Sequence, residues 1–447
     1  MKRILYITIV LSALVLSVQG FASIQSAKKV SVRDFGAKGD GITDDSEAFL
    51  RAIKAADFVV VPKGKYLLKK KLSFTKLSNK TISAYGATII NNNTELGTLY
   101  FGSSINITIE GGTWTRKTMP DHISNLPSEH TFSFVRVRNL TVKKVHINGS
   151  AQMGINMVLV DNATVYGNLI ENCYRDGIYA HYSVNLTYES NTLNNIKDDA
   201  MSIHDYGIDA QKQEMFSAGY RQSGKSRIIN NVTNNTYEGF ASIGCDGLLI
   251  SGNKINNTVN AGISIFNTPK LFKGSNARAK NITITNNYLS YTGGTQRIMG
   301  EEYKNQGQLT GGRSAIFVGV QDEQALINNP DPKSRITDVT ITNNTVVNSY
   351  VNGAYIGQVD NLEFKNNTFT DCNIAMSNFS GRIVEIRLCN NVDIDDNSVI
   401  DDRSKPRHNA GYELKNVNGR MGKWIIKGHI DQADKYIIGS SPVSISQ

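Results

Sequence analysis

Proline, which interrupts helices and strands, and cysteine, which forms disulfide cross-links, are scarce in this sequence of 447 residues. Proline occurs 8 times and cysteine 4 times, and no two cysteines form a Cys-x-x-Cys pair. The positions of Cys173, Cys245, Cys372 and Cys389 therefore indicate neither a disulfide framework nor a thiolate metal site. We expect the four thiols to be buried packing residues.

Long hydrophobic runs are missing after the amino terminus. The one such run, roughly Ile4 to Val18, follows Lys2 and Arg3 and precedes small residues. This order is typical of a secretory signal peptide, which we place at residues 1–22. A membrane anchor is the alternative, but the run is short for a span of ~20 residues. We therefore expect a secreted or periplasmic protein that does not insert into a membrane.

Acidic residues are outnumbered by basic ones. The chain has 48 Lys and Arg against 39 Asp and Glu, which gives a net charge of +9. A basic surface favours nucleic acid, anionic lipid or acidic polysaccharide as a partner. Because an exported protein has no need of nucleic acid, we expect an acidic polysaccharide or oligosaccharide. The sequence indicates no oligomeric state.

A short repeat is what the chain has in abundance. Residues 162–183 align with residues 185–205 at an offset of 23, which places Asp176 over Asp199 and His181 over His204. A repeat too short to form a domain is typical of one coil of a solenoid. The second asparagine of the repeated unit recurs at Asn168, Asn191, Asn231, Asn253, Asn287, Asn344, Asn367 and Asn397.

The repeated unit has the pattern Asn–apolar–x–apolar–x–x–Asn, in which alternate apolar residues can point into the coil. Asparagine tolerates the left-handed turn conformation and can hydrogen-bond an asparagine on the next coil. We therefore predict an all-β, single-domain parallel β-helix over residues 23–447. Regular coils are expected over about 100–405 and a carboxy-terminal cap over about 408–447.

The segment 30–56 differs from the repeat. Glycines punctuate a loop, Thr43 is a suitable N-cap, and residues from Ser46 to Ala55 place Phe49 and Ile53 on one helical face. Such a helix would cover the open first coil of a solenoid. The segment resembles the amino-terminal cap of the pectate-lyase superfamily. This resemblance implies a right-handed parallel β-helix with a capping helix, and it implies fold more than activity.

One face of the solenoid is expected to carry the chemistry. Equivalent residues on successive coils lie ~4.8 Å apart, so stacked carboxyls should push their pKa values apart. An acid kept protonated beside one kept ionised is what glycosidic hydrolysis requires. A lone Asp would more often cap a turn, but here three Asp and two His come together. We predict catalytic roles for Asp176, Asp198, Asp199, His181 and His204. Substrate-binding roles are predicted for Asn156, Arg175, Tyr179, Ser202 and Glu238.

Three stretches interrupt the spacing of the repeat, at 205–226, 267–280 and 292–314. Loops that interrupt a solenoid often gather on one face and build a binding groove, although they can also be solvated surface. Since the first stretch leaves directly from His204, we add Tyr220 and Arg221 to the predicted substrate-binding residues.

Three segments resemble the ordered motifs of the polygalacturonase family: RDGIYA at 175–180, KDDAMSI at 197–203 and EGFASIG at 238–244. That family has Asn-Thr-Asp-Gly, Gly-Asp-Asp, Gly-His-Gly and Arg-Ile-Lys. The resemblance implies that one of the three Asp residues is a general acid and the others hold water in an inverting hydrolysis. Gly239 stands where the motif has histidine, and Ile-Ser-Ile at 263–265 replaces Arg-Ile-Lys. The resemblance therefore covers the three acids and not the uronate-binding residues.

The predicted function is hydrolysis of an acidic or pectin-like polysaccharide. One alternative is a polysaccharide lyase or uronate epimerase, in which His181, His204 or Tyr179 would be the base and Arg175 would neutralise a carboxylate. The Asp-Pro-His-Glu signature of alginate epimerases is absent. A non-catalytic glycan-binding solenoid is the other alternative. No cofactor and no dedicated metal motif are predicted, although adjacent carboxylates could hold Ca²⁺.

Overall fold

The computed structural model describes residues 28–207, 221–267, 276–293, 313–320, 334–374, 382–404, 410–428, 430, 436–438 and 443–445. The predicted signal peptide and Tyr220 lie outside these residues. Within them, the chain winds through three rows of parallel strands, each strand pairing with its equivalent on the next coil. The predicted right-handed parallel β-helix is confirmed.

The first row is a sheet of its own. Its strands are Lys29–Ser31, Phe58–Val60, Ser78–Ser83, Ile105–Glu110, Arg138–Lys143, Asp161–Tyr166, Val184–Glu189, Gly224–Ile229, Asp246–Ser251, Lys280–Thr285, Ile336–Thr342, Val359–Lys365, Asn390–Asp395, Gly419–Met421 and Val443–Ile445.

The second and third rows are joined because two long strands, Thr192–His204 and Val232–Ile243, run through both. The other strands of the second row are Asp40–Asp44, Gly64–Leu68, Ala87–Asn91, Thr113–Arg116, His146–Ser150, Leu169–Cys173, Lys254–Thr258, Tyr288–Ser290, Thr345–Val347, Thr368–Thr370, Asn397–Asp401 and Trp424–Gly428. The other strands of the third row are Leu72–Thr75, Leu99–Gly102, Phe132–Val135, Ile155–Val158, Ile178–His181, Ile263–Asn267, Ile316–Val320, Ala354–Gly357, Arg382–Arg387, Ala410–Lys415 and Tyr436–Ile438.

The amino-terminal helix, Ser46–Ala55, lies where it was predicted and buries Phe49 and Ile53. The prediction of Thr43 as its N-cap is wrong. Thr43 lies in the preceding strand, where its hydroxyl donates to Asp40 at 2.8 Å. The N-cap position is occupied by Asp45, whose carboxylate accepts from the backbone N–H of Lys38 at 2.6 Å and so ties the loop to the helix.

At the other end, parallel pairing continues into the segment predicted as a cap. Trp424–Gly428 pairs with Asn397–Asp401, and Gly419–Met421 pairs with Asn390–Asp395. The coils therefore extend to at least residue 428. No helix among the described residues is both long enough and apolar enough to cross a bilayer.

The recurring second asparagines form a buried ladder, which we call the asparagine ladder (Asn168, Asn191, Asn231, Asn253, Asn287, Asn344, Asn367 and Asn397). Asn191 is typical: its side-chain N–H groups donate to Val165 O at 2.9 Å and to Asn231 Oδ1 at 3.0 Å. Its own Oδ1 accepts from the backbone and side-chain N–H groups of Asn168. The predicted hydrogen bonding between coils is confirmed.

The left-handed conformation belongs to a different asparagine of the repeat. Asn162 and Asn185, the first asparagines of their units, have φ of 62° and 60°. These exposed residues turn the chain, whereas the buried ladder residues fasten one coil to the next. The four cysteines are free and buried, as predicted.

We predict that Asn191→Ala lowers the free energy of unfolding by about 2–4 kcal/mol, because it leaves a buried N–H and a buried carbonyl unsatisfied. Asn390 is a matched control, because it is exposed and donates to Asp360 at 2.8 Å. Asn390→Ala should lower the free energy of unfolding by less than about 1 kcal/mol. Urea and thermal unfolding measure both. A loss at Asn191 no larger than that at Asn390 would contradict the ladder's role.

Candidate active site

The two aspartates of the KDD segment lie where a strand bends without breaking. In the pairing of Thr192–His204 with Val232–Ile243, Ile196 pairs with Thr236 but Asp199 pairs with Glu238. One strand therefore carries one extra residue, which is a β-bulge at the corner between the second and third rows. The bulge places Asp198 and Asp199 side by side at this corner.

The register brings the remaining predicted residues to the same corner. Asn156 pairs with Tyr179, and Tyr179 pairs with Ser202. His181 pairs with His204, two residues further along the same strands. The face is nevertheless not an open surface, since Asp176, Asp199, Ser202 and Glu238 are each buried.

Asp176 is enclosed and held by one neighbour on the next coil. Ser202 Oγ donates a hydrogen bond to Asp176 Oδ2. Burial, together with repulsion from Asp198, raises the pKa of Asp176 to about 7. This carboxyl therefore exchanges its proton in the neutral range.

Asp198 differs because it faces a cation. Arg175 Nε donates to Asp198 Oδ2 at 2.9 Å, and the two side chains are 41% and 32% exposed. Burial raises the pKa of Asp198, and the charge of Arg175 opposes that effect. Of the three aspartates, Asp198 is thus the one whose ionised form has a cationic partner.

Asp199 lies between two other acids. Burial and the negative charges of Asp198 and Glu238 raise the pKa of Asp199 well above its ordinary value. Its Oδ2 is 3.7 Å from His204 Nε2. The surroundings of Asp199 therefore favour its protonated form.

Glu238 closes the set of carboxyls on the next coil. Arg313 Nη1 donates to Glu238 Oε1 at 2.9 Å, and Asn260 Nδ2 donates to the same oxygen. Burial raises the pKa of Glu238, while Arg313 opposes the shift. The site thus holds two arginine–carboxylate pairs with two further carboxyls, Asp176 and Asp199, beside them.

The two histidines are uncharged at neutral pH. Burial lowers the pKa of His181 to about 4 and that of His204 to about 3. Tyr179 packs edge-on against His204 with ring centroids 5.3 Å apart, and Tyr206 lies 5.3 Å from the ring of His181. The aromatic surroundings therefore maintain neutral imidazoles beside acidic carboxyls.

The family described as rhamnogalacturonase A/epimerase, pectate lyase-like matches residues 29–264, more than half of the chain. The chain belongs to this family. The matched residues include the bulge and every predicted catalytic residue.

Curated relatives of the chain include two different kinds of protein. Plasmin and fibronectin-binding protein A of Streptococcus pneumoniae is 24% identical over 371 residues, which cover 72% of this chain and 50% of that protein. A polygalacturonase of Malus domestica is 27% identical over 289 residues, covering 58% and 59%. The chain therefore spans about half the length of the curated relatives it matches.

Among solved structures, a hyperthermoactive exopolygalacturonase from Thermotoga maritima is similar with a TM-score of 0.53. The similarity covers 92% of each chain at 16% sequence identity. At that identity the likeness concerns the fold.

The inserts supplied two further substrate-binding predictions, Arg221 and Tyr220. Arg221 pairs with Asp161 at 2.9 Å, on a strand of the first row, and its substrate-binding role stays a prediction. Arg221 lies just before the first-row strand Gly224–Ile229, and so comes after the corner between the second and third rows in the chain. Tyr220 is outside the described residues.

Sequence reasoning missed Arg313 and Asn260. The backbone N–H of Arg313 donates to Asn260 Oδ1 at 2.8 Å, which helps to aim the guanidinium at Glu238. For Arg313, the only signal in the sequence was that the insert 292–314 could return to the face that carries the predicted catalytic residues. Among the described residues no group of three or more His, Cys, Asp or Glu has the geometry of a metal site.

We predict that Asp176→Asn makes the protein more stable at pH 8 by on the order of 2–4 kcal/mol. The raised pKa means that folding favours the protonated carboxyl of Asp176. The contribution of this carboxyl to the free energy of unfolding is full below pH ~4 and is lost as the pH rises through about 7. An uncharged amide does not suffer this loss, so the two proteins should converge toward pH 4.

Urea unfolding between pH 4 and pH 8 measures the difference. The Asp402→Asn variant is the control, because Asp402 is exposed to solvent. A stability difference at Asp176 that stays constant across this range would show that its carboxyl is not protonated by folding.

Proposed function

We propose that this family member hydrolyses glycosidic bonds of an acidic or pectin-like polysaccharide. The observation that carries the proposal is the bulge, which gathers Asp176, Asp198 and Asp199 under conditions that separate their protonation states. The polygalacturonase among its relatives supports hydrolysis, and the net charge of +9 supports an acidic polymer.

In the proposed reaction, Asp199 is the general acid and Asp198 is the general base. Asp199 gives its proton to the glycosidic oxygen as the bond from that oxygen to the anomeric carbon breaks. A water molecule forms the new bond to the anomeric carbon and gives a proton to Asp198, whose ionised form Arg175 stabilises. Direct attack by water inverts the anomeric configuration.

Asp176 and the two histidines have supporting roles in this scheme. Asp176, bonded by Ser202, limits the negative charge of the cluster by taking up a proton in the neutral range. His204, 3.7 Å from Asp199, remains neutral and therefore does not draw the proton from that acid. The scheme uses only groups of the chain. We further propose that the protein is exported after removal of residues 1–22.

Elimination is the second candidate because neutral His204 can accept a proton. Its pKa of about 3 makes it a weak base, however, and for this reason we place hydrolysis first. A non-catalytic glycan-binding role is the third candidate. One relative is named for binding plasmin and fibronectin, which shows that matching sequences include proteins named for binding rather than catalysis.

We predict that incubation with polyuronides, glycosaminoglycans and pectin-type polymers yields new reducing ends without near-ultraviolet absorbance. Elimination would instead produce an unsaturated uronate that absorbs there. If near-ultraviolet absorbance rose together with the number of new reducing ends, the reaction would be elimination and not hydrolysis. Binding of a polymer without any new ends would favour the non-catalytic role.

We also predict that Asp198→Asn and Asp199→Asn each lower kcat by about 10²–10⁴-fold, but respond to different rescue. A glycoside with a good leaving group needs no proton from an acid, so it should restore turnover in Asp199→Asn. Azide needs no base, so it should restore turnover in Asp198→Asn. Full activity in both variants would refute the acid–base pair. If azide restored Asp199→Asn and the good leaving group restored Asp198→Asn, the roles of the two aspartates would be reversed.

A further inference from the structure

The positive charge of the chain is concentrated at the amino-terminal end of the solenoid. Residues 28–80 contain 13 Lys and Arg against 6 Asp and Glu, a net charge of +7, whereas residues 81–447 contain 33 of each. Residues 28–80 form the capping helix and the first coils. One end of the solenoid is therefore basic, while the charges of the rest of the chain balance.

The acidic residues of this segment neutralise few of its cations. Four of the six accept hydrogen bonds from backbone N–H groups instead, namely Asp34, Asp40, Asp44 and Asp45. Three of the 13 cations form ion pairs within the described part of the chain: Lys70 with Glu47, Lys71 with Glu129 and Lys80 with Asp57.

The other ten cations form no ion pair with a described acidic side chain, and every one of them is exposed. We call this set the basic end: Lys28, Lys29, Arg33, Lys38, Arg51, Lys54, Lys63, Lys65, Lys69 and Lys76. Their charges are held by solvent alone, so a polyanion that approaches this end meets cations that no carboxylate of the protein already neutralises.

The basic end surrounds the solenoid and does not merely cover its tip. Lys63 precedes the second-row strand Gly64–Leu68, and Lys69 follows it. Lys76 follows the third-row strand Leu72–Thr75. One coil thus carries a cation at each of its three corners. A flat bilayer could touch the tip but not all three flanks at once, whereas a flexible linear polymer can follow them.

One corner of the basic end lies on the same edge of the solenoid as the candidate active site. The third-row pairings run through Leu72, Leu99, Phe132, Ile155, Ile178 and Met201, which are five coils or ~24 Å from first to last. Lys69 stands just before Leu72, and its backbone N–H donates to Ser46 Oγ of the capping helix at 2.9 Å. A polymer that leaves the active site along this edge can therefore reach the basic end.

The active-site corner itself offers an acidic polymer little attraction. Its two arginines, Arg175 and Arg313, are already paired with Asp198 and Glu238. Two more carboxyls, those of Asp176 and Asp199, lie beside these pairs. The unpaired cations that could hold a polyanion by charge are those of the basic end.

We infer that the basic end is a second, non-catalytic binding site for an acidic polysaccharide, which retains the polymer while the corner cuts it. This inference rests on the proposed function for the role of the polymer as substrate. Two sites occupied by one chain raise the local concentration of substrate at the corner. The gain therefore applies only to chains long enough to reach both sites.

Polygalacturonate and the galacturonate trimer test this inference, because the trimer is too short to reach both sites. The basic-end variant is Lys63→Gln/Lys69→Gln/Lys76→Gln. Binding is measured by affinity electrophoresis in gels that contain polygalacturonate, with Asp199→Asn added to slow cleavage. We expect the basic-end variant to bind the polymer at least about tenfold more weakly than its parent, and the parent to lose affinity as salt is added.

Cleavage is measured without the Asp199→Asn substitution. The KM of the basic-end variant for the polymer should rise about tenfold with kcat unchanged, while kcat/KM for the trimer stays the same. The matched control is Lys225→Gln/Lys254→Gln/Lys423→Gln, which removes three exposed lysines elsewhere on the solenoid. This control should bind and cleave the polymer as the parent does.

Polymer binding as tight in the basic-end variant as in the parent would overturn the inference, and so would an equal loss in the control. Retention of the parent by phosphatidylserine vesicles and not by polygalacturonate would assign the basic end to membranes, and would overturn it too. If the basic-end variant alone lost polymer binding and no glycan were cleaved, the proposed hydrolysis would be refuted and the second site would stand. Cleavage with the same KM in all three proteins would do the opposite.

Discussion

The parallel stacking of coils is the constraint on which the rest of this structure depends. Each coil repeats ~4.8 Å from the last, so a residue type that recurs in the sequence becomes a column in space. The buried asparagine ladder fixes that register, because Asn191 satisfies groups of both neighbouring coils. A slip by one residue would turn the carboxyls inward and leave the amides without partners.

The same stacking makes negative charge unfavourable at the corner where the bulge lies, because carboxylates on neighbouring coils repel one another. Asp176, Asp199 and Glu238 succeed one another on consecutive coils and are nearly excluded from water. Two arginines from different places in the chain, Arg175 and Arg313, offset part of this charge. Protons on Asp176 and Asp199 offset the remainder, and it is this protonation that makes the corner suited to acid–base chemistry.

The repeat and its register could be predicted because they are local patterns in the sequence. The offset that aligned His181 with His204 is the observed pairing. The pairing of Arg313 with Glu238 could not be predicted, since the residues are 75 positions apart and an insert of irregular length separates them. The pairing of Arg221 with Asp161 could not be predicted for the related reason that an insert conceals where the chain rejoins the coil. The bulge also left no sequence signal beyond the doubled Asp.

At this corner a protonated Asp199 lies beside an ionised Asp198 and two neutral imidazoles. Neutron diffraction from deuterium-exchanged crystals at neutral pH measures this most directly. The account predicts deuterium on a carboxyl oxygen of Asp199, none on Asp198, and a single deuterium on each ring of His181 and His204. Three bare aspartates with doubly deuterated imidazoles would contradict it.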